Sequence, residues 1–274
     1  MHHTGCLDDE KGKGGHRSGA MLRFALTTGV ALACQAAATH ACAAAACDAP
    51  WMHEGGGFTT TLAPGQRTVA YTVTQFSKRD GDNCNGEVRA DMKMSMGGQL
   101  MQSESNVRFD IVDGKVAPPS QKHAGSLQST AGGATSFNAT LSTQTTGLLS
   151  YVGEITGEGQ RLAGTRTEGS VSGTAANMGR SVGTLNVPKF VTTTSDKAVG
   201  KEEQLQTAAG KFTCWPVAYE RTMQASHAQM MGHMADLSTK SQVVDHFCPA
   251  AGLVMRQDMT VDGRASSMTV GALH

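Results

Sequence analysis

This chain lacks a net charge. Its 23 basic and 23 acidic side chains cancel, which removes the usual electrostatic reason to expect a nucleic acid or an acidic membrane surface as partner. Aromatics make up only 5% of the residues and prolines number 7. No C-x-x-C occurs, so redox-active dithiols and zinc ribbons lack their basic element. No phosphate-cradling loop, paired-carboxylate motif or basic-aromatic patch is present. Only one long apolar run exists, near the N-terminus, and nothing after it is expected to span a membrane as a helix.

What the chain does have is glycine, 33 residues of it, together with many Thr and Ser. That mixture suits short strands and turns better than long helices. Residues 1–20 are polar and read as an upstream extension outside the fold. Met21-Leu22-Arg23 reads as the positive start of a signal peptide, Phe24–Ala38 as its apolar core, and the small residues up to Ala46 as its cleavage region. Residues 47–274 are then a single periplasmic domain. The alternatives are an uncleaved anchor or a lipid on Cys34 or Cys47, so membrane contact is expected only through this leader.

Four cysteines remain after such a leader: Cys47, Cys84, Cys214 and Cys248. An even number in an oxidising compartment predicts two disulfides. Three pairings are open, with free thiols as the alternative. Cys214–Cys248 and Cys47–Cys84 are favoured, the first tying strands close in sequence and the second stapling the mature N-terminus.

Strand signals are frequent. Val88, Ala90, Met92, Met94 and Met96 alternate with Arg89, Asp91, Lys93 and Ser95, which predicts a half-buried strand. Thr68–Phe76 predicts the strand before it, and Val107, Phe109 and Ile111 the one after, ended by Asp113-Gly114. Residues 113–135 read as a loop, and Val182–Thr193 as an edge strand around Pro188. Leu253, Met255, Gln257, Met259 and Val261 predict a strand that turns at Asp262-Gly263 into a closing strand.

Two C-terminal segments carry a family resemblance. Ala208-Ala209-Gly210-Lys211-Phe212-Thr213-Cys214 resembles the small-Gly-x-Phe strand entry of the TapB-like periplasmic proteins. Pro249-Ala250-Ala251-Gly252-Leu253-Val254-Met255 resembles their Pro-x-x-Gly-Leu-Val entry. The match covers roughly residues 200–273. Asp245-His246-Phe247-Cys248 stands where that family carries aromatics. The resemblance implies a mainly β fold similar to the LolA/LolB carriers, a curved antiparallel sheet forming a half-open barrel. It also implies a concave apolar face for a lipid or other hydrophobic ligand.

The expected function is therefore non-enzymatic, without a cofactor, in the periplasm. The partner would be a lipid, a hydrophobic small molecule or another envelope protein, and the proposed lining is Val88, Met92, Met94, Phe109, Ile111, Leu253 and Met255. The plain alternative is that these side chains fill a closed core. A second reading is copper binding by His227, Met230, Met231, His233 and Met234, because thioether and imidazole donors favour Cu(I). If helical, His227, Met230, Met231 and Met234 would share a face. The same stretch, expected as a 225–238 loop with a short helix, also fits an apolar packing stripe of Met223, His227, Met230, Met234 and Leu237. Gly179-Arg180-Ser181-Val182-Gly183 matches G-x-S-x-G, but Thr184–Pro188 is a poor helix to follow a nucleophile elbow. Asp245 and His246 cannot share a pocket if they are strand neighbours.

Overall fold

The computed structural model describes residues 46–64, 67–96, 99–117, 123–130, 135–143, 147–177, 180–230 and 233–274. The expected leader and its cleavage region lie outside these as far as residue 45.

The β-branched and alternating stretches form strands where the pattern predicts them. β1 (Gly57–Ala63), β2 (Arg67–Lys78), β3 (Cys84–Met96) and β4 (Gln99–Val112) pair in sequence order, all antiparallel. The Asp113-Gly114 turn has φ of 52° and 72° and returns the short β5 (Lys115–Val116) onto β4. Positive φ at both central residues is the turn geometry that matches the twist of paired strands. β6 (His123–Thr130) and β7 (Thr135–Thr143) continue the sheet. After β8 (Arg161–Leu162) come β9 (Arg166–Asn177), β10 (Arg180–Thr194), β11 (Lys197–Val199) and β12 (Glu203–Thr207). The chain ends with the long hairpin β13 (Gly210–Met230) and β14 (His233–Cys248), then β15 (Leu253–Val261) and β16 (Arg264–Leu273), joined by Asp262-Gly263 with φ of 48° and 76°.

The fold class is the expected one: mainly β, a curled antiparallel sheet of the half-barrel kind. Its strands run β10-β9-β7-β6-β4-β3-β2-β1-β16-β15-β14-β13. β10 also pairs with β13, from Leu185↔Met230 to Thr194↔Arg221, so the path returns on itself. β11 and β12 occupy the rest of that edge of β13. The two strand entries that carry the family resemblance are both strand entries here, each preceded or opened by a left-handed glycine, Gly210 and Gly252.

Three sequence expectations need correction. Residues 113–135 are not one loop, because β6 pairs with both β4 and β7. Its Ser, Gln and Gly composition carries little strand signal, whereas backbone pairing with two neighbours needs none. Pro188 lies on no edge; β10 is paired on both sides, and the register with β9 shifts between Val187 and Phe190. A bulge tolerates the missing N–H as an edge does. The 225–238 stretch is neither loop nor helix but the end of the β13–β14 hairpin. There a bulge between Ala225 and Ala228, with His227 at φ 56°, inserts a three-residue step into a two-residue period. That step made a strand resemble a helical stripe.

The main core fills one end of the sheet. It gathers Trp51, Phe58, Val73, Phe109, Ile111, Tyr151, Val217, Phe247, Leu253, Met255 and Val270 from strands on all sides. Trp51 packs edge-on against Phe58 and donates its indole N–H to the Ala251 carbonyl at 2.9 Å. Both favoured disulfides are formed, Cys47–Cys84 and Cys214–Cys248, and all four cysteines are buried in this core. The Asp82 carboxylate accepts the backbone N–H groups of Ala46 and Cys47 beside the first bridge.

The bridges close loops of 37 and 34 residues. Cross-links of that span restrict the unfolded chain by about 3 to 4 kcal/mol each. The Cys47→Ala/Cys84→Ala double variant is expected to lose about that much in urea denaturation monitored by circular dichroism.

Candidate functional site

Alternation along each strand divides the sheet into two unlike faces. The outward face is charged. Glu87 pairs with Arg108, Arg89 with Asp91, Glu220 with Lys240, and Asp258 with Arg256. The inward face is largely apolar, with a buried polar cluster at its centre.

That cluster is built around Asp245 on β14, only 4% exposed. Tyr151 donates to Asp245 Oδ2 at 2.6 Å, Tyr219 to the same oxygen at 2.9 Å, and Gln257 Nε2 to Oδ1 at 2.7 Å. Two donors from the flanking strands and one from a loop thus satisfy the carboxylate, as a buried charge requires. Tyr151 arrives from a loop in which Gly153, at φ 72°, presses on the Gly114 carbonyl; a Cβ at Gly153 would overlap that oxygen. Lys197, 8% exposed, lies with Nζ 4.9 Å from the Tyr151 ring centroid and 5.3 Å from that of Tyr219.

The electrostatics follow from this burial. Desolvation pushes the Tyr151 and Tyr219 phenols well above the ordinary range, and the adjacent Asp245 charge adds to it. Burial also raises Tyr71, partly offset by the Thr60 hydroxyl. Burial lowers the Lys197 ammonium, with the Asp245 and Glu154 charges opposing. Every oxygen of Asp245 is engaged by a neutral donor, so the group locks the inward face and offers no free base.

Further along the inward face the filling stops. Met223 shares the face of Val217 and Tyr219 on β13, and Leu237 that of Val243 and Asp245 on β14. Val217 and Val243 are buried, whereas Met223 and Leu237 are each 43% exposed. Beside them lies a second apolar cluster: Val187, Ala225 and Ala228 with Val171, Leu185 and Phe190. Arg221 stands on the same face between the two levels, its guanidinium against the Met259 sulfur.

The proposed lining divides between these levels. Val88, Phe109, Ile111, Leu253 and Met255 are buried in the main core, and Met92 is half-buried further along β3. Met94 is paired with Met101 near the β3–β4 end. The His/Met donors lie at the tip of the β13–β14 hairpin. Met230 is paired with His233 and Gln229 with Met234, so His233 and Met234 are strand neighbours on opposite faces. Met234 is 66% exposed, His227 occupies the bulge, and Met231 lies outside the described residues. Asp245 and His246 do face opposite sides: the His246 ring contacts Glu203 at 2.5 Å and Asp258 at 3.1 Å outside the sheet. Ser181 lies within β10, a strand that runs on to Thr194, with no helix after it.

Sequence reasoning missed Lys197, Tyr151, Tyr219, Gln257 and Arg221. Only the alternation of Tyr219, Arg221 and Met223 along one strand could have signalled them.

No family model matches the chain, and no curated protein matches its sequence. Two solved structures share its outline. One is a candidate lipoprotein from Parabacteroides distasonis ATCC 8503, the other a candidate exported protein with a YmcC-like fold from Bacteroides fragilis NCTC 9343. Each is 12% identical, with a TM-score of 0.47, over 81% of this chain and 96% of its own. Neither is described as TapB-like or LolA/LolB-like.

The protein has 3 tyrosines, and all are shifted upward. The native chain therefore keeps phenolic protons that the unfolded chain loses near pH ~10. The native state then binds more protons, and stability falls as pH rises above that point. Lys197 acts in the opposite sense as a single group. Absorbance at the tyrosinate band should show no ionisation of the folded protein at pH ~10, and three phenols titrating there in denaturant. Asp245→Asn should lower the titration of Tyr151 and Tyr219 but leave Tyr71 in place.

Proposed function

We propose that this is a non-enzymatic, exported envelope protein that holds a hydrophobic ligand against the inward face of its sheet. The observation that carries the reading is the 43% exposure of Met223 and Leu237 on the face that elsewhere forms the core. Large apolar side chains left open on a concave face mark a binding surface better than isolated ones on a convex wall. The lining begins at Met92 and continues through Met223, Leu237 and the Phe190 cluster. Val88, Phe109, Ile111, Leu253 and Met255 form the packed floor that supports it.

Two buried disulfides support an oxidising compartment, the periplasm in a bacterium. The ion pairs on the outward wall argue against a sheet embedded in lipid, where that wall would need an apolar band.

The uncharged probe N-phenyl-1-naphthylamine should bind with saturable fluorescence at one site per chain. Met223→Lys/Leu237→Lys should weaken it by about tenfold, while the thermal midpoint stays nearly unchanged because both positions are already exposed. Non-saturable fluorescence, or unchanged binding by the double variant, would remove the reading.

A further inference from the structure

We infer that the ligand is an anionic amphiphile, a single apolar chain carrying an acidic head, and that Arg221 binds the head. The inference rests on the carrier reading and adds the chemical class.

Arg221 is an inward-facing cation without an acidic partner among the described residues. Its guanidinium contact is the Met259 thioether. The charges around it are committed elsewhere. Asp245 is taken by Tyr151, Tyr219 and Gln257. Glu220, the next residue, points outward to Lys240 and Gln242. Glu168 on β9 is taken by Arg166 and Lys189. Lys197, a buried inward cation, lies over the Tyr151 and Tyr219 rings. A half-buried guanidinium stays charged at any physiological pH and carries five donors, so an uncompensated one favours an incoming anion.

Its position matches the two ends of such a ligand. Arg221 is paired with Thr194 on β10 and Ser241 on β14, so hydroxyl side chains flank it. The Ser241 hydroxyl donates to the Arg221 carbonyl, while the guanidinium contacts the Met259 sulfur. On one side lies the closed polar floor of Asp245. On the other lie Met223, Ala225, Leu237 and Phe190, an apolar wall leading toward the hairpin ends. An acidic head would stop at Arg221 and its tail would run along that wall. The chain has no net charge, so a preference for anions would come from this local placement and not from bulk attraction.

Calorimetric titration of the disulfide-intact protein with twelve-carbon probes, each below its aggregation concentration, tests this. Dodecanoate and dodecyl sulfate should bind about tenfold or more tighter than dodecanol, the gain of a charge-assisted hydrogen bond. Dodecyltrimethylammonium should bind more weakly than dodecanol. Arg221→Gln should bring dodecanoate down to the dodecanol level while leaving dodecanol binding intact, which also shows that the variant is folded. Arg221→Lys should keep part of the preference. Preference for both acids identifies the anionic head in general, and preference for dodecanoate alone a carboxylate. Equal affinity for dodecanol and dodecanoate in the unaltered protein, or full dodecanoate affinity in Arg221→Gln, overturns the role of Arg221 while the carrier reading stands. If no probe binds, both fall.

Discussion

Pairing between Leu185–Thr194 of β10 and Arg221–Met230 of β13 determines what every other strand can do. Without it, β10 would end the sheet as an exposed ladder of N–H and C=O groups, open to pairing with another chain. With it, the sheet has an inside and an outside, and one residue in two along each strand is assigned to each. The charged outer rows and the apolar inner rows then cease to be local alternations and become two surfaces. A bulge at Pro188 in β10 and another at His227 in β13 lie in this seam. Both absorb residues that a regular ladder would reject, and both increase local twist, which helps a sheet curl.

The inner surface is not uniform. Its disulfide end is filled by Trp51, Tyr151, Phe247 and their neighbours, and stapled by two bridges. Next comes Asp245 with its three donors, a buried charge tolerated because each oxygen has a partner and Lys197 lies close by. Beyond it are Arg221, Met223 and Leu237, where the packing opens. This order, from packed core through polar floor to exposed apolar wall, resembles the layout of a small-molecule site. In such a site a few convergent polar groups set orientation and the apolar lining supplies affinity. The main core can do the stabilising, which leaves the other end free for the proposed ligand.

Much of the fold was legible one strand at a time. Val88–Lys93 and Met255–Val261 alternate in sequence because one face of each strand meets the interior and the other meets water. Asp113-Gly114 and Asp262-Gly263 announced their turns because few residues accept φ above zero. The cysteine pairing was legible for the same kind of reason, since strands adjacent in sequence are usually adjacent in space. By contrast, β6 was read as loop because its composition says little and its two neighbours supply the pairing. The 225–238 hairpin was misread because a single bulge changed its period. The candidate site was less legible still. Tyr151 and Asp245 are 94 residues apart, and nothing local in either segment refers to the other.

Composition and pattern alone settled that this is a β chain with balanced charge, four cysteines after its expected leader, and strands that are greasy on one side. Those properties are local or compositional, set by side-chain period and turn stereochemistry. Only the tertiary structure decided which greasy positions are packed and which are left open, and that Arg221 faces inward with no carboxylate beside it among the described residues. Such facts depend on what lies across the sheet, and the distance across a curled sheet has no counterpart along the chain.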